Sequence, residues 1–323
     1  MAVLAHQDFV PSRRYRHSHY STCAPSLFGR VPEVGYDRKR VTTPDGDFLD
    51  LDYVKNGNKR VAIICHGLEG SSSSIYVLLQ AEYLIKKGWD ILSLNYRGCS
   101  GEMNHQLQMY NSGETRDLYF VADHHVADYD EIVFIGYSLG GNLVLKYAGE
   151  YPDRVHPKVS SVVAISTPLD LHDSSEHLLK WDNYLYQLLF LKSLKAKIRA
   201  KSKQFPDQVS LKHLRKCYNL YRFDEYYTAP IWGYRDAKDY YDSCASIQWI
   251  DQINVPTLII NAMNDPFLGP RCYPTDLISK LPHINMLTPA YGGHVGFAYS
   301  RDDRSWLLDQ VDHFLNDKTE HLS

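Results

Sequence analysis

Residues 132–148 read Ile132-Val133-Phe134-Ile135-Gly136-Tyr137-Ser138-Leu139-Gly140-Gly141-Asn142-Leu143-Val144-Leu145-Lys146-Tyr147-Ala148. A continuous apolar run, suited to a strand buried on both faces, gives way to a run whose apolar positions Leu143, Val144, Tyr147 and Ala148 recur at helical spacing. Between them stands Gly136-x-Ser138-x-Gly140. A serine on a sharp turn from strand to helix, with small residues two positions to either side so that the two elements pass closely, is presented as a nucleophile. The same glycines also suit a plain turn or an anion cradle at a helix N-terminus, but a phosphate loop needs a lysine after its glycines, and Asn142 stands there.

Around this unit the chain alternates short β-rich runs with amphipathic stretches from Asp47 to Glu150, the rhythm of a mostly parallel sheet flanked by helices, so the fold class is α/β. The run 61–65 predicts a buried strand. Residues 48–54 alternate apolar and acidic side chains and predict an antiparallel edge strand with one exposed face. A helix follows from Ser74, with Val77, Leu78, Ala81, Leu84 and Ile85 on one side and Gly88 as its stop, then a strand over 89–95. A second helix is expected to start near Ser112, with Glu114 and Thr115 in its first turn, and further strands over 132–137 and 159–165. The rhythm then breaks. Residues 167–246 are Tyr- and Lys-rich, helical in pattern and almost without strand signal, which predicts an inserted cap. The alternation resumes with a strand at 257–261, a helix around 274–281, a strand at 284–287 and a closing helix carrying Trp306, Leu307, Val311 and Phe314. The expected organisation is an N-terminal arm (1–46), a core (47–166 and 247–323) and a helical cap (167–246).

Of the 323 residues, 44% are hydrophobic and 23% charged, the balance of a globular chain with a sizeable core. A net charge of -3 supplies no field that would gather nucleic acid, so none is expected as a partner. The first twenty residues hold Arg13, Arg14, Arg16 and three histidines without the apolar core of a secretory signal, and no window has the apolar length of a membrane span. Six cysteines without a Cys-x-x-Cys pair read as reduced thiols of a cytoplasmic protein. The fifteen histidines show no ligand spacing, and neither metal nor cofactor is expected.

A serine hydroxyl needs a base for its proton, and the base needs a carboxylate to fix its tautomer. With an elbow of this kind, the acid and then the histidine follow the serine along the chain. Asp265, in Asn264-Asp265-Pro266, ends a strand on the side where ligand chemistry collects in open α/β sheets, and His294 follows the next strand in Gly292-Gly293-His294-Val295-Gly296. Asp276 is a weaker acid candidate because it falls within a helix. Donors for an oxyanion are expected from the amide of Leu139, just after the nucleophile, and from that of Leu68 in His66-Gly67-Leu68, which ends the strand 61–65. His66 and Gly67 are expected to line the site, with His66 in a structural or orienting role. Asn95-Tyr96-Arg97-Gly98-Cys99-Ser100-Gly101 ends another strand on the same side and is expected to line the mouth of the site; its other reading is a tight loop with Arg97 in structural ion pairs.

Taken together these stretches resemble the YheT-like family of α/β-hydrolases. Beyond the elbow, the resemblance rests on residues 17–28, on His66-Gly67-Leu68-Glu69-Gly70, 95–101, Ser112-Gly113-Glu114-Thr115, Tyr227-Thr228-Ala229-Pro230, Asp239-Tyr240-Tyr241, Asn264-Asp265-Pro266-Phe267 and Gly293-His294-Val295-Gly296-Phe297. It covers nearly the whole chain. In the family the histidine near the start often continues to Gln-Thr, whereas His19 is followed here by Tyr20-Ser21-Thr22. The resemblance implies the α/β-hydrolase fold, a charge relay on Ser138, Asp265 and His294, no cofactor, and hydrolysis of carboxylic esters, either small molecules or lipids such as acylglycerols. It leaves two rivals: acyl transfer to an alcohol by the same triad, and a non-catalytic protein that binds a hydrophobic ligand. In the cap, Leu185, Leu188, Leu189 and Phe190 precede Lys192, Lys195, Lys197, Arg199, Lys201 and Lys203. These read either as an apolar and basic surface for transient membrane contact or as a cap helix with a solvated lysine face.

Overall fold

The computed structural model describes residues 9–297 and 306–316. In chain order the regular elements of the core are α1 (Ser18–Phe28), β1 (Asp37–Thr42), β2 (Phe48–Val54), β3 (Arg60–Cys65), α2 (Ile75–Lys86), β4 (Asp90–Asn95), α3 (Arg116–His124), β5 (Glu131–Tyr137), α4 (Leu139–Glu150) and β6 (Val159–Ile165). The cap carries α5 (Leu171–Leu178), α6 (Tyr184–Gln204), α7 (Leu220–Phe223), a π-helical turn (Asp224–Thr228), α8 (Ala229–Trp232) and α9 (Ala237–Cys244). The core then resumes with β7 (Thr257–Ile260), α10 (Thr275–Ile278), β8 (Ile284–Leu287) and α11 (Trp306–Asn316).

The eight strands make one sheet in the order β1-β2-β4-β3-β5-β6-β7-β8. β1 and β2 pair antiparallel, as do β2 and β4, and every other pairing is parallel. The apolar runs of β3, β5 and β6 are continuous because both faces are covered: Leu118, Val121, Leu143 and Val144 of α3 and α4 lie on one side, Val77, Leu84, Leu307 and Val311 of α2 and α11 on the other.

β2 is not the exposed edge strand that its alternating acids predict. Asp50 and Asp52 are buried, and β1 covers the edge with Arg40 and Arg38, each forming a two-pronged bond to one of these carboxylates at 2.7–2.8 Å. β1 itself, Asp-Arg-Lys-Arg-Val-Thr, is charged and mostly exposed, which discourages further edge pairing. α3 begins at Arg116 rather than near Ser112. Its would-be first turn is claimed by side chains. The Ser112 amide donates to Tyr240 Oη (2.9 Å), the Gly113 amide to Asn111 Oδ1 (2.6 Å), and Asn142 Nδ2 donates to the Ser112 carbonyl (2.7 Å).

No strand occurs between β6 and β7 among the described residues. The cap has its own small core of Leu191, Ile198, Phe223 and Tyr227 and is tied to the sheet by polar contacts. Lys197 pairs with Glu69 at 2.7 Å, and Lys201, fully buried, donates to the carbonyls of Asn104 and Gln106. These two lysines therefore do not belong to a solvated or membrane-facing basic surface. They lie on the stripe of α6 that meets the core.

The turn that joins β5 to α4 closes because of glycine. A Cβ on Gly136 would sit 2.2 Å from the Gly140 carbonyl oxygen, and one on Gly140 would sit 2.4 Å from that of Cys65 in β3. Any larger residue would push strand and helix apart.

Candidate active site

Ser138 stands on this turn at φ 54°, ψ −120°, backbone that a serine adopts only under constraint. The constraint comes from its own peptide groups. Its amide donates to the Ile165 carbonyl at the end of β6 (2.8 Å), and its carbonyl accepts from the amides of Gly141 and Asn142 (2.9 and 3.2 Å). The hydroxyl is thereby held above the C-terminal ends of the parallel strands.

His294, in the loop after β8, meets it there. Nε2 lies 2.8 Å from Ser138 Oγ, and Nδ1 lies 2.9 and 3.1 Å from the two oxygens of Asp265, which follows β7. Asp265 Oδ1 also accepts from the Phe267 amide at 2.9 Å, so the carboxylate cannot swing away. Both side chains are buried, and the Phe267 ring packs 4.3 Å from the imidazole. Asp276, in α10, takes no part in this chain of hydrogen bonds.

The histidine loop is braced by the start of the chain. Thr22 Oγ1 accepts from the His294 amide (2.9 Å) and donates to the Ser18 carbonyl, while Ser21 Oγ donates to the Gly292 carbonyl (2.8 Å). Asn264, beside the acid, accepts from the Gly293 amide (3.0 Å) and donates to the Arg16 carbonyl. Gly296 lies so close to α1 that a Cβ there would meet the Ser21 carbonyl oxygen at 2.1 Å. The contacts between the arm and these two loops span more than 240 residues of sequence, and periodicity carries no trace of them.

In the loop after β3, the amide of Gly67 donates to Tyr76 Oη (2.9 Å), that of Glu69 to Tyr110 Oη (2.8 Å) and that of Gly70 to the Gly67 carbonyl (3.0 Å). The Leu68 amide is the one in 67–70 that no acceptor among the described residues takes. His66 sets its direction from below the loop. The Tyr96 amide donates to His66 Nε2, so the proton sits on Nδ1, which donates to the Gly67 carbonyl at 2.7 Å. A trans peptide points its N–H opposite to its carbonyl, so holding Gly67 C=O aims Leu68 N–H the other way. His66 is fully buried and does not line the site; burial lowers its pKa to about 3 and keeps it neutral. Tyr76 and Tyr110, which hold the loop, carry no sequence signal that separates them from the other tyrosines.

Arg97 does not line the mouth either. Its guanidinium is buried against Asp117 (2.7 and 2.9 Å) and Asp45 (2.6 Å), within 3.4 Å of Asp47, and so serves in structural ion pairs.

Two cavities meet at Ser138 and Leu68. One, about 120 Å³, runs under the cap between Leu139, Pro168, Leu171, Leu194 and Phe223, with Tyr241 and Asp224 in its cap-side wall. The other, about 330 Å³, opens between α1 and the cap and is bounded by Leu27, Gly67, Leu189, Phe190, Phe267 and His294.

A mostly parallel sheet with a serine elbow, and an acid and a histidine after its later strands, defines the α/β-hydrolase class of architecture. The chain belongs to the α/β hydrolase fold family, whose sequence profile matches residues 61–300, and within it to the YheT-like proteins. It is 34% identical over 330 residues to YheT of Escherichia coli (strain K12), whose name assigns it provisionally to the esterases; the alignment covers 98% of this chain and 95% of that one. It is also 29% identical to a monoacylglycerol lipase of Saccharomyces cerevisiae, with 94% of this chain and 67% of that one covered. The Pyrococcus furiosus esterase Pf2001 shares the fold, with a TM-score of 0.59 at 16% identity over 88% of this chain and 98% of that one.

A neutral, buried His66 has a consequence for acid stability. Below its unfolded pKa the unfolded chain binds a proton that the folded chain refuses, so stability falls as pH drops from about 6 towards 3. His66→Gln removes this term. Denaturant titrations are expected to show its stability falling less steeply than wild type between pH ~6 and ~4, by about 1.4 kcal/mol per pH unit. Parallel pH profiles would contradict the neutral assignment.

Proposed function

We infer that this hydrolase cleaves carboxylic esters through an acyl-enzyme formed on Ser138. The observation that carries the reading is the continuous hydrogen-bonded chain Ser138–His294–Asp265 at the junction of two cavities. His294 Nε2 takes the Ser138 proton as Oγ attacks the ester carbonyl, and Asp265 stabilises the imidazolium through Nδ1–H. The carbonyl oxygen, now negative, receives the amides of Leu68 and Leu139, which are preorganised before substrate arrives. The imidazolium then gives its proton to the departing alkoxide. Water enters against the same base and releases the acid, and the alcohol in the first half and the acid in the second leave Ser138 as it began.

The position of His294 supports a division of labour between the two cavities. The alcohol oxygen must lie beside the imidazole that protonates it, so the alcohol portion occupies the cleft between α1 and the cap. The acyl portion extends under the cap, into the cavity whose wall includes both Leu68 and Leu139. Lipid-like esters fit the surroundings of the cleft. Leu27 and Leu189 border it and are exposed, as are their apolar sequence neighbours Phe28, Val31, Trp181 and Leu185. Such a rim is suited to contact with an acyl-chain surface rather than to water alone. No helix among the described residues is long and apolar enough to cross a membrane. All six cysteines are free, in keeping with a reducing, cytoplasmic setting.

Ser138→Ala is expected to keep the fold, by circular dichroism and thermal melting, and to lose turnover of p-nitrophenyl acyl esters by a factor on the order of 10^4 or more. Turnover equal to wild type would overturn the reading. The rim has its own test. Trp181→Asp combined with Leu185→Asp is expected to lower hydrolysis of an emulsified acylglycerol about tenfold while leaving a dissolved short-chain ester untouched, since neither residue lines either of the two cavities that meet at Ser138. An equal effect on both substrates would remove the rim from the account.

A further inference from the structure

The acyl cavity is apolar over much of its wall, yet a carboxylate faces into it. Asp224 opens the π-helical turn that follows α7, a kind of distortion that recurs at functional sites. Thr228, four residues on, donates to its Oδ1 (2.6 Å), and Tyr241 of α9 donates to its Oδ2 (2.6 Å). Each oxygen accepts one hydrogen bond where it has room for two. No lysine, arginine or histidine among the described residues forms an ion pair with it. Ser175 donates to Tyr241 Oη (3.3 Å) and so continues the polar wall behind it, whereas Pro168, Leu171, Leu178 and Leu194 line the same space without any donor.

A half-buried acid set in a largely apolar wall without a cation is costly to keep unless something in the space uses it. Its two hydrogen bonds occupy both oxygens, so an asparagine, with a single oxygen, could hold only one of Thr228 and Tyr241. Burial pushes the carboxyl up to about 6, as expected where no positive group compensates. What the carboxylate offers that a neutral group does not is strong acceptor capacity directed at the acyl group of whatever ester is bound to Ser138.

We propose that Asp224 is a specificity residue that selects esters whose acyl chain bears a hydroxyl, by accepting a hydrogen bond from that hydroxyl inside the cavity under the cap. The inference rests on the acyl-enzyme reading, because that reading is what places the acyl portion in this cavity. A plain alkyl chain of the same length leaves the acceptor unmatched and displaces the water that would otherwise satisfy it. Discrimination therefore works against the unsubstituted ester as much as for the hydroxylated one.

The test compares matched pairs of medium-chain methyl esters, plain and ω-hydroxylated, at several chain lengths, by acid release from the full chain. Wild type is expected to favour the hydroxylated member in kcat/KM by about tenfold or more at the chain length that reaches Asp224. Asp224→Leu is expected to erase or reverse that ratio while still turning over the plain ester. Should Asp224→Leu fold poorly, Asp224→Asn, which keeps an acceptor for Thr228 or Tyr241, is expected to shrink the ratio in the same direction. Equal ratios in wild type and in the folded variants overturn this inference and leave the hydrolase reading intact. Failure of folded wild type to release acid from either ester overturns both.

Discussion

Everything in the site depends on how closely β5, α4 and β3 pass one another at Ser138. Gly136 and Gly140 leave room for carbonyl oxygens at distances that no side chain would permit, and that closeness forces the serine into its left-handed backbone. The same turn puts the Leu139 amide at the start of α4, where no carbonyl of the preceding turn can take it, so it remains open to a ligand. Asn142, one turn further, accepts from the Ser246 amide and donates to the carbonyls of Ser112 and Cys244. The helix that carries the elbow is thus also fastened to the C-terminal end of the cap and to the loop before α3.

The remaining parts of the site are held from outside the sheet. The His294 loop is short of regular structure and is fixed by Ser21, Thr22 and the Arg16 carbonyl, all from the start of the chain. The acid side is fixed by the cap: Asn183 donates to the Pro266 carbonyl, and Tyr186 and Phe190 pack on Phe267. Arm and cap also touch, with the ring of His19 stacked on Tyr186. The cleft that ends at His294 is therefore bounded by two elements that brace the histidine and its acid, so substrate access and alignment of the base are mechanically linked.

Much of this is legible in the sequence, for identifiable reasons. Buried parallel strands leave long apolar runs, and the glycines around Ser138 are demanded by backbone sterics that few other residues satisfy. Chain order then points to Asp265 and His294, and the structure brings both within hydrogen-bond reach of the serine in series. β2 is misread as an edge because its acids look solvent-facing when their partners, Arg38 and Arg40, lie on a strand too charged to announce itself. Arg97 and His66 end strands on the correct side of the sheet but point away from the cavities, a matter of side-chain direction that strand position does not determine. Asp224, Thr22 and Tyr76 are invisible for another reason: each acts through a contact that only the folded arrangement of cap, arm and core creates.

Whether Ser138 is an activated nucleophile is read by intact-mass analysis after treatment with a fluorophosphonate, which bonds covalently to a serine whose proton a neighbouring base has taken. A single adduct is expected on wild type and none on folded Ser138→Ala. No adduct on folded wild type, or an adduct that persists in the variant, would contradict an activated Ser138.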